Sequence, residues 1–168
     1  ITESVDASIW LGLYPQAGNA EYMLHQAEKE DNPAMKGVAL ILKTLVMSNI
    51  VDAYGNVPYF DALKIALQKD TLNYTTRYDD MKLIYADMFA LLEDANAAFV
   101  EAEELKNSGE IAQTDFSALC DYMYEGNVEK WRRLGNSLYL RLLMRAAMKV
   151  EEEGGVMDMS GTEHPDFS

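Results

Sequence analysis

The sequence predicts an all-α fold, and three observations carry that reading. Apolar residues recur at helical spacing over three long segments, each of which has recognisable start chemistry, and nowhere does a segment sustain the period-two alternation of a strand. With 168 residues, 49% hydrophobic and 25% charged, the chain suits one domain around one real core. That domain is expected over residues 1–150, with 151–168 as an acidic loop or tail.

A weak helical pattern runs near Asn19 to Glu30, after a less helical leader that holds Trp10 and Tyr14. The first long helix opens at "DNPAMKG", where Asn32 is a natural N-cap and Pro33 suits the first turn. Its row Met35, Val38, Leu42, Leu45, Val46, Asn49, Ile50 and Ala53 carries it to about Tyr54. There "DAYGNVP" stops it: Gly55 supplies a left-handed turn, Asn56 suits that turn, and Pro58 holds Val57 extended and prevents resumption. Asp52 and Tyr54 bracket the helix end, and Tyr59 and Phe60 are placed to fold back on it.

The second long helix follows "TTRYDDMKLIY", where Thr76 and Asp79 have capping-box spacing. Its row Met81, Ile84, Tyr85, Met88, Leu91, Leu92, Ala95, Ala98, Phe99 and Ala102 keeps one face throughout. After a weak helix near Asp115 to Tyr124, the third starts at "EGNVEKW", with Gly126 closing a turn and Asn127 as N-cap. Trp131, Leu134, Leu138, Leu142 and Ala146 share one face, and Leu140, Leu143, Met144 and Ala147 line much of the rest, so this helix is expected to be buried on most sides. Arg141 and Arg145 then need partners, and Asp52 and Asp121 qualify by charge. Helix starts near 34, 78 and 127, with long connections at 55–77 and 103–126, give a helical-repeat layout with long loops.

Function is constrained mainly by exclusion. A net charge of −14 repels phosphate backbones and anionic head groups, so no nucleic-acid partner is expected. The acidity is uneven: Glu151, Glu152, Glu153, Asp158, Glu163 and Asp166 crowd the last segment, whereas Lys130, Arg132, Arg133, Arg141, Arg145 and Lys149 make the third helix basic. A single cysteine, Cys120, excludes an internal disulfide and reads as a small buried side chain. The chain has no initiator Met, which points to a processed or partial polypeptide, and no run approaches the ~18 consecutive apolar residues of a membrane span.

Phosphate loop, GxSxG, HExxH, CxxC and EF-hand patterns are all missing, and His25 and His164 lie far apart, so no metal site and no cofactor are expected. The carboxylate pairs Glu93–Asp94, Glu103–Glu104 and Glu151–Glu153 are sequence neighbours, which point to different sides of a helix. No catalytic residue is assigned. The ten Met fall mostly on apolar faces, and the residues freest to bind a ligand are Trp10, Tyr14 and, less directly, Tyr59.

Three stretches together resemble one family: "DAYGNVPYFDA" (52–62), "RYDDMKLIYADMFALLEDA" (77–95) and "DYMYEGNVEKWRRLGNSLYLRLLMR" (121–145). They look like the SusD/RagB family of outer-membrane lipoproteins of Bacteroidota. Asp52, Tyr54, Gly55, Val57, Pro58, Tyr59 and Ala62 match its helix-end motif, with Asn56 where the family often has Asp. Asp121, Tyr124, Gly126, Asn127, Lys130, Trp131, Asn136, Ser137, Leu138, Leu140, Arg141 and Arg145 match a longer run in order, with Gly135 replacing the usual Ala. The resemblance covers roughly residues 33–149.

What the resemblance implies is a tetratricopeptide-like scaffold within a longer glycan- or nutrient-capturing lipoprotein. Such a protein is anchored at the extracellular face of the outer membrane through an N-terminal lipid absent from this chain, and delivers its ligand to a SusC-like TonB-dependent barrel. It implies binding without catalysis. From the residues alone the alternative is a helical-repeat module that binds another protein, supported by the helix-pair layout and the basic third helix.

Overall fold

The computed structural model describes residues 3–63, 76–109 and 121–152, with side chains described from residue 9 to residue 148 within those ranges. It is all-α: α1 spans Glu3–Lys29, α2 Pro33–Tyr54, α3 Met81–Ser108 and α4 Val128–Glu152. Among the described residues the nearest approach to a strand is an isolated antiparallel bridge, Val57 to Asp79. Cys120, His164 and residues 153–168 of the expected acidic tail lie outside the described residues, while 151 and 152 complete α4.

The helices stack in chain order: α2 is packed against α1 on one side and α3 on the other, and α4 lies against α3 with a smaller contact to α2. Ile41, Met47, Ile50, Ile84, Met88, Leu92, Phe99 and Leu142 are all without solvent exposure, so one continuous core joins α2, α3 and α4. The α2–α3 crossing is tightest at Gly37, where an added Cβ would sit 2.6 Å from Phe99 Cε1. Only hydrogen fits between the α2 backbone and that ring, hence glycine despite its cost in a helix.

Most helix boundaries follow local chemistry. Asn32 Oδ1 accepts the Met35 N–H at 3.0 Å and Pro33 opens α2, while Gly55 (φ +73°) donates its N–H to Val51 O at the far end. Asn127 Oδ1 accepts the Lys130 N–H at the start of α4.

Four expectations require correction. α1 is a continuous helix through the supposed leader, because burial against α2 outweighs the poor propensities of Gly12, Pro15 and Gly18. The cap of α3 is Asp80, whose carboxylate accepts the Lys82 N–H; Asp79 turns back to the preceding loop instead of forming a box with Thr76. The described part of the expected helix at 115–124, residues 121–124, belongs to a turn, and α3 itself consumes the start of the 103–126 connection. Finally α4 is buried on one face only, leaving Leu140, Met144 and Met148 59%, 61% and 64% exposed.

Although α2 contains no unbroken apolar run of membrane-span length, it is long and apolar enough to cross a membrane by length and composition. In the folded chain its apolar residues Val38, Ile41, Met47, Ile50 and Val51 are buried in the core. Its hydrophobicity is accounted for by a central position in the stack.

Candidate functional site

The residues matching the two motifs assemble into polar locks at the helix ends. After Gly55 the chain turns back, and Asp79, 7% exposed, receives it: Asp79 Oδ2 accepts the N–H groups of Tyr59 (2.9 Å) and Phe60 (3.0 Å), while its own N–H donates to Val57 O. Asn56 reciprocates by accepting the Met81 N–H at 3.0 Å. One loop thereby caps the helix that follows it, and buried Pro58 offers its carbonyl to the Tyr14 hydroxyl at 2.8 Å, tying in α1.

The second lock is Asp121, 3% exposed. Its Oδ1 accepts from the N–H groups of Met123 and Tyr124, and its Oδ2 from the Gly126 N–H at 3.0 Å and the Trp131 indole at 2.7 Å. Burial pushes the carboxyl pKa up, but the Trp131 bond and the backbone N–H groups of Tyr124, Gly126 and Met123 outweigh it and hold Asp121 below the usual carboxylate range. Gly126 (φ +78°) lets its N–H face inward, and Tyr124 covers the Trp131 ring edge-on at 5.1 Å.

The arginines of α4 divide as charge alone could not specify. Arg145 pairs with Asp52, whose other oxygen accepts the Tyr85 hydroxyl at 2.6 Å, so α2, α3 and α4 meet at one carboxylate. Arg141 donates to Ser48 Oγ at 2.9 Å rather than to an aspartate. The expected Asp121 partnership with these arginines is corrected: that carboxylate is fully engaged by its own turn and Trp131. Arg132 reaches Asn96 and Glu103, Arg133 pairs with Glu129, and Asn136, also on α4, is half-buried.

Among the aromatic candidates for ligand contact, Trp10 and Tyr14 are half-buried, their rings 4.6 Å apart, and Trp10 meets Tyr54 edge-on at 5.2 Å. Tyr59 is 2% exposed; its hydroxyl donates to Asp87 at 2.6 Å and Lys43, paired with Glu21, lies 5.7 Å over its ring. That leaves Tyr59 without an open face for stacking. Burial first, then the Asp87 bond and charge, push its hydroxyl pKa up.

One cleft of about 550 Å³ opens beside α1, lined by Tyr14, Pro15, Gly18, Asn19, Tyr22, Ala62 and Leu63. Its size falls in the range of small-molecule sites. Of the three aromatic candidates only Tyr14 reaches it, and Trp10 and Tyr59 do not. Tyr22, passed over by sequence reasoning, presents a 52% exposed ring whose hydroxyl accepts a bond from Gln26 Nε2 at 2.8 Å. The spacing 14, 18, 22 would have placed it on the Tyr14 face, had helix been carried through Pro15. Tyr78, also exposed, lies near enough to Tyr14 that, after burial, it and Asp79 push the Tyr14 hydroxyl pKa up.

A SusD-like family model described as "Starch-binding associating with outer membrane" matches residues 1–160. Two solved structures are similar. A SusD homolog from Bacteroides uniformis shares 30% identity, with a TM-score of 0.63 over 84% of this chain and 25% of that one. A chitin-binding SusD homolog from Flavobacterium johnsoniae shares 26%, with a TM-score of 0.64 over 90% of this chain and 29% of that one. This chain therefore spans about a quarter of the length of those solved proteins. No curated protein matches it.

Proposed function

The chain belongs to the SusD-like family, and on that premise we propose that it forms the helical frame of a glycan-capturing surface protein that passes its ligand to a SusC-like, TonB-dependent outer-membrane barrel. The observation that carries this reading is the family match across residues 1–160, spanning all four helices. One of the similar solved structures is itself described as chitin-binding. The location that follows is the extracellular face of the outer membrane, held by an N-terminal lipid.

The role is binding rather than turnover. What supports this is how the carboxylates at the helix contacts are spent: Asp52, Asp79, Asp87 and Asp121 all accept bonds from tyrosines, an arginine, an indole or backbone N–H groups. A carboxylate saturated in this way is a poor general acid or base. Sugars are held by stacking their apolar CH faces on aromatic rings and by hydrogen bonds to their hydroxyls, and exposed tyrosines on a rigid frame supply both. Tyr14 contributes a wall of the cleft, and Trp10 packs against Tyr14 with the rings 4.6 Å apart.

The test uses the full-length protein. Solubilised outer membranes should yield it in complex with a barrel, and oligosaccharide should bind without release of new reducing ends. Recovery free of the membrane fraction, or glycan cleavage that persists through purification, overturns the reading.

A further inference from the structure

We propose that the cleft beside α1 is a subsite for one neutral pyranose unit, with Tyr22 as its stacking platform and Asn19 as its hydroxyl partner; this rests on the glycan reading above. In a chain that is 25% charged, none of the described residues lining the cleft carries a charge. Two carboxylates adjoin lining residues in sequence: Glu21 is paired with Lys43 at 2.7 Å, and exposed Asp61 is not among the described lining residues. A net charge of −14 disfavours an anionic ligand, and none of the described lining residues is a carboxylate that could hold a cation.

Tyr14, Gly18 and Tyr22 stand one helical turn apart on α1, so two rings flank a residue without a side chain. An added Cβ at Gly18 would meet nothing within 4 Å, which leaves open space between the rings. A sugar ring has an apolar face that suits this gap and a hydroxyl edge that needs polar partners.

The Tyr14 hydroxyl donates to the buried Pro58 carbonyl, which holds that wall of the cleft in place before a ligand arrives, and the exposed Tyr22 hydroxyl accepts from Gln26. Asn19 is exposed, and its amide makes no hydrogen bond among the described residues. It is free to pair with a hydroxyl on a bound ring.

Calorimetric titration of the full-length protein with maltohexaose, chitohexaose and xylohexaose tests the assignment, with circular dichroism melts as the control for folding. Tyr22→Ala should weaken binding of the favoured oligosaccharide by about tenfold, and Tyr22→Phe, which keeps the ring, should stay within about threefold. Gly18→Leu fills the gap while improving helix propensity, so it should block the subsite in a protein that melts no lower than wild type. If wild type binds an oligosaccharide and both Tyr22→Ala and Gly18→Leu bind it equally well, the subsite is wrong and the glycan reading stands. If wild type binds none of the three, the subsite and the glycan reading fall together.

Discussion

Helices α2 and α4 are both apolar on more than one face, yet they occupy opposite situations. α2 is covered by α1 and α3, and twelve of its residues are buried, among them Thr44 and Ser48. α4 lies at the end of the stack, so Trp131, Leu138 and Leu142 are buried while Leu140, Met144 and Met148 remain exposed. The difference teaches that an all-round apolar pattern measures what a helix is able to bury. Position in the stack decides what it does bury.

The comparison can be broken first at its strongest points. Ile41→Ala in α2 and Trp131→Ala in α4 each remove a side chain at most 2% exposed and should cost about 3–5 kcal/mol in urea denaturation followed by circular dichroism. A loss under about 1 kcal/mol at either site would mean that the helix is not anchored as described.

Asp121→Asn is next, at about 3 kcal/mol, since an amide cannot accept at both positions that now receive the Gly126 and Trp131 N–H groups alongside Met123 and Tyr124. The same site has a pH signature. Because the folded-state pKa lies below the ordinary carboxylate value of 3.8, the contribution is fully present above that value and is lost as pH falls through the lower folded pKa. Acid denaturation of Asp121→Asn should therefore be flatter below pH 3.8 than that of wild type.

Gly37→Ala sharpens the account of α2, because the new methyl must displace the Phe99 ring: the expected loss is about 1–3 kcal/mol, against the usual gain from replacing a helical glycine. The smallest effect belongs to the open face of α4. Met144→Gln in this chain should change stability by no more than about 0.5 kcal/mol, and a loss comparable to Ile41→Ala would erase the contrast between the two helices.

Much of the frame was legible along the chain. Asn32, Pro33 and Gly55 bounded α2, Asn127 opened α4, and the row from Ile84 to Phe99 identified the buried face of α3, because caps and periodicity are set by residues within a few positions of one another. The cleft was harder to find. Tyr22 became visible only when α1 proved continuous through Pro15, and Tyr59, readable as a free aromatic, was claimed by Asp87 on α3 twenty-eight residues away.

The sequence by itself determined the course of α2, α3 and α4, the stop of α2 and the family, since each rests on local spacing or on ordered motifs. Only the tertiary structure decided that Asp79 would receive the loop at Tyr59 and Phe60, that Arg145 and Tyr85 would share Asp52, and that Asp121 would serve Trp131 instead of an arginine. A charge or a hydrogen-bonding group specifies the kind of partner it needs, while the identity of that partner depends on which helix faces are pressed together. Burial of the common core settles that choice, and it depends on every helix in the stack at once.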